Sequence, residues 1–195
     1  MPRLDASNSV LVVIDAQDGF YPDSRTDVDH AAKSAVLERV AWVCAVGVAL
    51  GVPVVVTEED AETNGPTSPQ IARRLPHETP VLVKTVFGAA DNPAIESAVR
   101  ETGRQTVVLV GMETDVCVAH SAIGFQERGL RVVVVHDAVF SAGAAHAHGL
   151  ARLRQERVEL LSAKELYYEW LRDLPSVRAF DEANPDLTEP PGFSL

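Results

Sequence analysis

The chain has 195 residues, of which 46% are apolar, enough for one well-buried domain and short for two. Seventeen lysine and arginine residues stand against 28 aspartate and glutamate residues, and the resulting net charge of -11 repels phosphate backbones and anionic membrane surfaces. Nucleic acids and membranes are therefore unfavourable partners.

The N-terminal segment and the cysteine content indicate a cellular compartment. The opening residues "MPRLDASNSV" lack the apolar core of a signal peptide, and no apolar stretch approaches the roughly 20 residues that span a bilayer. The two cysteines, Cys44 and Cys117, are too few for a disulfide framework. The sequence predicts a cytoplasmic protein with reduced thiols.

Short runs rich in β-branched residues alternate along the chain with longer segments of helical periodicity. The predicted strands cover residues 9–15, 52–57, 80–85, 105–111, 131–138 and 157–162. The predicted helices cover residues 31–50, 92–103, 114–129, 145–156 and 162–173. Nearly continuous apolar strands indicate burial on both faces of a sheet. The pattern predicts a Rossmann-like three-layer α/β/α fold with a six-stranded parallel sheet.

The first long helix and the C-terminal segment differ from the rest. Helix 31–50 is apolar nearly throughout, which indicates a cover beyond its own sheet, such as a second subunit. We therefore expect a homodimer or a higher homo-oligomer. Residues 174–195 are proline-rich and acidic and are expected to form an arm or a disordered tail, leaving residues 1–173 as the single domain.

Three chemically complementary residues lie at the ends of predicted strands. Ligands of open parallel sheets bind beyond the carboxyl ends of the strands, where Asp15, Lys84 and Cys117 follow apolar runs. A helix N-terminus and an ammonium both favour the thiolate form of Cys117. Asp15 would accept the thiol proton and return it to a leaving group, and backbone N–H groups around residues 113–117 would bind an oxyanion.

Each of these residues also has a purely structural interpretation. Asp15 would be a turn or cap residue, Lys84 a solvated charge and Cys117 a small core side chain. The combination of all three at equivalent strand ends is harder to explain in this way. The glycine-rich nucleotide-binding motifs and the G-x-S-x-G motif of serine hydrolases are absent from the sequence.

Three segments resemble the isochorismatase-like cysteine hydrolases, a superfamily related to nicotinamidase, N-carbamoylsarcosine amidase and isochorismatase. They are "VVIDAQDGF", "VKTVFGAADNP" and "VLVGMETDVCVAHSAIGFQERGLRVVVVHDA", and the resemblance runs from about residue 9 to about residue 172. It places the catalytic Asp, Lys and Cys of that family on Asp15, Lys84 and Cys117. It implies hydrolysis of a C–N bond in a small amide, carbamoyl or ureido compound through a thioester on Cys117. Asp15 would be the base, and Lys84 would hold Asp15 and Cys117 in their charged states.

The resemblance also implies an oxyanion hole. Family members often have a cis peptide bond four positions before the cysteine, which corresponds here to Met112 and Glu113. Its implied purpose is to aim the backbone N–H groups of Glu113 and Cys117 at one oxyanion.

The sequence departs from the metal-dependent nicotinamidases after the second strand. Their aspartate and histidines are replaced by a run of three carboxylates without histidine, Glu58, Glu59 and Asp60, which we expect to be solvated. We therefore predict no catalytic metal and no cofactor. Two alternative functions stay open: hydrolysis of a vinyl ether, as in isochorismatases, and a non-catalytic assembly role on the same fold.

Further residues are candidates for holding the small-molecule substrate. Phe20 and Phe87 follow the Asp15 and Lys84 segments and are candidate pocket walls, with core packing as the alternative. Gln17 lies two residues beyond Asp15 and is a candidate to orient the carboxylate or to make a structural hydrogen bond. A Cys117–His120 dyad is less favoured, because His120 is displaced along the helix from the substrate side.

Overall fold

One parallel sheet of six strands organises the molecule in the computed structural model, which describes residues 2–195. The spatial order of the strands is β3-β2-β1-β4-β5-β6, and each neighbouring pair is parallel. The predicted six-stranded parallel sheet is therefore confirmed. The strands are β1 (Ser9–Ile14), β2 (Val54–Glu59), β3 (Val81–Lys84), β4 (Thr106–Met112), β5 (Arg131–Phe140) and β6 (Glu159–Leu161).

Helices cover both faces of this sheet. They are α1 (His30–Ala49), α2 (Ala61–Asn64), α3 (Pro69–Ala72), α4 (Pro93–Glu101), α5 (Ala119–Glu127), α6 (Ala145–Gln155), α7 (Ala163–Leu171) and α8 (Leu174–Ala183). Alternate residues of β1 enter separate apolar clusters: Leu11 and Val13 pack on the side of α1 and α7, whereas Val10 and Val12 pack on the side of α4 and α5. The three-layer α/β/α prediction is confirmed.

Two strand boundaries differ from the predicted ones in ways that affect the site. β2 continues two residues beyond the predicted end and includes Glu58 and Glu59, because its ladder with β3 pairs Glu59 with Lys84. Asp15 lies just outside β1 in a left-handed conformation with φ of 45°. Asp15 therefore turns away from the ladder at the carboxyl edge of the sheet.

The C-terminal segment is an ordered part of the domain. It contains α8, and its later residues pack on α1, where the Trp42 Nε1–H donates to the Leu187 carbonyl at 2.9 Å. The Phe193 ring meets the Trp42 ring edge to face, with centroids 5.4 Å apart. Of the two expected forms, an arm and a disordered tail, the structure has an ordered arm, and its residues bury apolar surface of α1 that suggested a second subunit. None of the helices within residues 2–195 has the length and apolar character to cross a membrane.

Candidate active site

The strand order brings four sequence segments to one edge of the sheet. Glu59 pairs with Lys84 across β2 and β3, Ile14 pairs with Thr57 across β1 and β2, and Ile14 pairs with Gly111 across β1 and β4. From β1 the chain continues to β2 and β3 on one side of β1, and it then crosses to β4, which lies on the other side of β1. The strand order therefore reverses between β1 and β4. This reversal is where open α/β sheets bind ligands.

Asp15 and Lys84 form a buried ion pair at this edge. Lys84 Nζ lies 2.6 Å from Asp15 Oδ2, and both side chains are 0% exposed. The Thr57 hydroxyl donates to the other carboxylate oxygen of Asp15 at 2.6 Å. Burial raises the pKa of Asp15, and the Lys84 ammonium and the Thr57 hydroxyl offset only part of this effect. A carboxyl group of this kind is suited to taking up a proton and giving it back.

Lys84 is surrounded by oxygen atoms. Its Nζ donates to the Val86 carbonyl at 3.0 Å and lies 3.4 Å from Glu59 Oε2. Burial alone would lower the pKa of Lys84, but the attraction of Asp15, with smaller contributions from Cys117 and Glu59, outweighs it and raises the pKa. The side chain is therefore an ammonium that compensates the carboxylates around it.

Cys117 lies in a single π-helical turn, Thr114–Val118, that leads into α5. The residue is 2% exposed, and its Sγ donates to Glu59 Oε2 at 2.9 Å. Burial raises the pKa of the thiol, the Asp15 carboxylate and the Glu59 hydrogen bond raise it further, and Lys84 offsets only part. The pKa of the thiol is therefore raised and not lowered as expected, because burial beside two carboxylates outweighs the one ammonium.

The pH dependence of alkylation tests the protonation state of Cys117. We expect its rate constant with iodoacetamide to be below that of a free thiol at neutral pH and to reach half of its maximum at a pH above the roughly 8.5 at which half of a free thiol is ionised. Asp15→Asn is expected to move the curve to lower pH, because removing a negative neighbour stabilises the thiolate. The readout is peptide mass spectrometry, which separates Cys117 from Cys44, whose pKa burial raises to about 12. A half-maximal rate for Cys117 at a pH below about 8.5 would contradict this assignment.

Glu59 is the site residue that sequence reasoning missed. Side chains alternate between the two faces of a strand, so Thr57 and Glu59 point to the side of Asp15, while Glu58 points away. Glu58 is buried and accepts from both the amide and the hydroxyl of Thr67, at 2.7 and 2.8 Å. The expectation of a solvated carboxylate run was wrong for Glu58, holds for Asp60, which is exposed, and holds only in part for Glu59, whose side chain is 19% exposed. Extending the alternation of β2 by two residues would have found Glu59.

The carboxylates and the thiol are close enough to be considered as metal ligands. Asp15, Glu59 and Cys117 each present one ligand atom, and these atoms lie within 4.8 Å of one another. This donor set contains no imidazole, and the Lys84 ammonium already lies beside both carboxylates. The set therefore fits a resident metal ion poorly, and the absence of a catalytic metal stays a prediction.

Gln17 supports Glu59 rather than Asp15. Its Nε2 donates to the carbonyls of Glu59 and Gly65 at 3.1 and 2.6 Å, and its Oε1 accepts from the Glu59 amide at 2.8 Å. Asn64 adds a hydrogen bond of 2.9 Å to the Glu59 carbonyl. These contacts hold the backbone of Glu59 at the end of β2 and fill the structural role that was the alternative for Gln17.

The two candidate phenylalanines lie in different surroundings. Phe20 is half-buried and packs against the core on the α1 side of the sheet. Phe87 is 53% exposed, and its ring meets His120 edge to face with centroids 6.1 Å apart. Phe87 is therefore the more accessible of the two rings.

The structure gives no support to a Cys117–His120 dyad, the less favoured interpretation of the sequence. The hydrogen bond of Cys117 Sγ goes to Glu59 and not to a histidine.

The segment between β4 and Cys117 carries a further, partly buried carboxylate contact. The Met112–Glu113 peptide bond is cis, and the Glu113 carboxylate accepts a hydrogen bond from the Tyr21 hydroxyl. Burial and the Glu113 carboxylate both raise the pKa of Tyr21. The Tyr21 oxygen also accepts from the Ala142 amide at 3.2 Å, so this tyrosine links the segments that follow β1, β4 and β5.

The fold and the site define a three-layer α/β/α protein with a thiol, two carboxylates and an ammonium at the carboxyl ends of its parallel strands. The family model of the isochorismatase domain matches residues 9–165, most of the chain. The chain belongs to the isochorismatase family of hydrolases.

Three similar proteins illustrate this membership. Isochorismatase domain-containing protein 2 of Danio rerio is 30% identical over 175 residues, covering 88% of this chain and 83% of that protein. The structure of the MAR1 ribonuclease from Caenorhabditis elegans has a TM-score of 0.82 and 25% identity, covering 100% of this chain and 98% of that one. YcaC from Escherichia coli, an octameric hydrolase of unknown specificity, has a TM-score of 0.79 and 23% identity and covers 96% and 93% of the two chains.

Proposed function

We propose that the protein hydrolyses the C–N bond of a small amide, carbamoyl or ureido compound through a thioester on Cys117, without a cofactor. Asp15, Lys84 and Cys117 are the proposed catalytic residues. The observation that supports this proposal is the grouping of the Cys117 sulfur with carboxylate oxygens of Asp15 and Glu59, all within 4.8 Å, beside the buried ammonium of Lys84.

In the first half of the proposed reaction, substrate binding triggers the formation of the nucleophile. The thiol hydrogen turns from Glu59 to the Asp15 carboxylate, which lies within 4.8 Å of Sγ, the proton passes to Asp15, and Sγ forms a bond to the substrate carbonyl carbon. The backbone N–H groups of Glu113 and Cys117 are the proposed donors to the resulting oxyanion. The C–N bond then breaks, and the leaving nitrogen takes the proton from Asp15, so that ammonia or an amine departs and Cys117 carries the acyl group.

In the second half, water cleaves the thioester. Asp15 takes one proton from a water whose oxygen bonds to the acyl carbon, the C–S bond breaks, the acid product leaves, and the proton passes from Asp15 to Sγ. The Lys84 ammonium keeps Asp15 available as a carboxylate at both stages, because loss of the proton from Asp15 restores the ion pair. The aromatic rings of Phe20 and Phe87 are the proposed walls for the substrate, and Gln17 contributes through the position of Glu59.

Covalent trapping is the test of this function. We expect one or more members of a panel of small amides, carbamates and ureas to release ammonia or amine. Acid quenching followed by peptide mass spectrometry should then show an acyl group on Cys117. The Cys44→Ser variant should behave as the wild type, because Cys44 is buried in the core on α1. Cys117→Ser should lose both the adduct and the release, and hydrolysis that persists in this variant would refute the thioester route.

We also propose a homo-oligomer of two or more copies, which acts on a small molecule in the cytoplasm. The octameric state of YcaC supports the oligomer. The edge strand β3 offers a surface for a second copy, because Val81 and Val83 are both at least half exposed there. The net charge of -11 argues against RNA as a substrate, despite the similarity to MAR1 ribonuclease.

A further inference from the structure

We infer that Glu59 determines substrate specificity: its carboxylate makes the Cys117 site accept neutral or cationic carbonyl compounds that carry an N–H donor and exclude anionic ones. This inference rests on the proposed function and names the substrate class for the same site. Three features of the structure support it, namely the exposure of Glu59, the charge that it adds and the rigidity with which it is held.

Glu59 is the member of the group that reaches solvent. The side chains of Asp15 and Lys84 are 0% exposed and Cys117 is 2% exposed, whereas the Glu59 side chain is 19% exposed. Its Oε2 lies 2.9 Å from Cys117 Sγ and accepts the hydrogen bond of the thiol. A substrate that approaches Sγ from solvent therefore passes the Glu59 carboxylate and reacts in contact with it.

Glu59 also gives the site an excess of negative charge. The Lys84 ammonium lies 2.6 Å from Asp15 and 3.4 Å from Glu59, so one positive charge is shared by two carboxylates. When the sulfur loses its proton, the Glu59 oxygen loses the donor that it held. A substrate N–H restores that hydrogen bond, whereas a substrate carboxylate would place another negative charge beside an unpaired acceptor. Neutral and cationic N–H compounds are favoured for this reason.

The backbone of Glu59 is held by hydrogen bonds from neighbouring side chains. Gln17 binds both the amide and the carbonyl of Glu59, and Asn64 binds the same carbonyl. Because the backbone of Glu59 is fixed in this way, a movement of the loop that follows β2 does not carry the carboxylate away from Cys117. It is a preorganised charge, which acts on a ligand without the cost of first being brought into place.

Alkylating reagents of different charge test the inference without a known substrate. The experiment compares the rate constants of iodoacetamide and iodoacetate at Cys117 at one pH, each divided by the rate constant with 2-mercaptoethanol. We expect the wild type to disfavour the anionic reagent on the order of tenfold. Glu59→Gln should remove most of this discrimination.

The matched control is Glu58→Gln. It removes the same charge at the neighbouring position, where the side chain faces Thr67 and not Cys117. This variant should discriminate as the wild type does. A cationic reagent, (2-bromoethyl)trimethylammonium, gives a second readout that needs no variant, and the wild type should favour it over iodoacetamide after the same normalisation.

Two results would overturn the role of Glu59: a wild type that does not discriminate between the reagents, or equal discrimination in wild type and Glu59→Gln. Either result would leave the thioester proposal standing, because that proposal is tested separately, by the acyl group on Cys117 and by the loss of hydrolysis in Cys117→Ser.

Discussion

Replacing Lys84 by alanine is expected to lower the free energy of unfolding by about 3–5 kcal/mol. The substitution leaves the Asp15 carboxylate fully buried with the Thr57 hydroxyl as its remaining side-chain donor, and an unpaired buried charge is far costlier than a lost surface contact. Urea denaturation at neutral pH, followed by circular dichroism, measures the change.

Two further variants separate the charge effect from the loss of a side chain. Lys164 is exposed and donates to the Ser194 carbonyl, so Lys164→Ala should change stability by no more than about 0.5 kcal/mol. The double variant Asp15→Asn with Lys84→Met should be more stable than Lys84→Ala, because it buries no uncompensated charge. A loss below about 1 kcal/mol for Lys84→Ala, typical of surface ion pairs, would mean that the pair is solvated.

Replacing Gly111 by alanine is expected to prevent folding or to destabilise the protein by more than about 4 kcal/mol, an exceptional value for one substitution. Gly111 has φ of 116°, and a Cβ atom there would lie 2.0 Å from the backbone oxygen of Ile14. Backbone atoms of a central strand cannot move aside as a flexible side chain would. Because Ile14 directly precedes Asp15, any surviving fold would have a displaced site.

Gly103→Ala is the matched control for this prediction. Gly103 has φ of 71°, but a Cβ atom there would meet nothing within 4 Å. This variant should lose only the roughly 1–2 kcal/mol that a left-handed conformation costs an L-residue. Thermal unfolding of both variants measures the difference, and equal losses would show that the contact with Ile14 is not what requires glycine at position 111.

The sequence by itself determined the sheet and the places of three candidate site residues. The β-branched runs are buried on both faces, which requires a parallel sheet covered by helices, and the six predicted strands match those of the structure within a few residues. Because parallel strands end at the same edge, Asp15, Lys84 and Cys117 could be assigned to one rim from their places in the chain alone. These conclusions depend on local pattern, which a single sequence contains.

The tertiary structure alone decided which groups touch and how they are charged. Glu59 reaches Cys117 because β2 lies between β1 and β3, and that strand order is not encoded in any local pattern. The raised pKa of Cys117 follows from exclusion of water and from the proximity of Asp15 and Glu59, and neither can be read from the place of a cysteine at the start of a helix. The cover of α1 by the C-terminal segment was likewise decided by packing between residues far apart in sequence. Burial and through-space electrostatics depend on three-dimensional distances, and these exist only once the chain has folded.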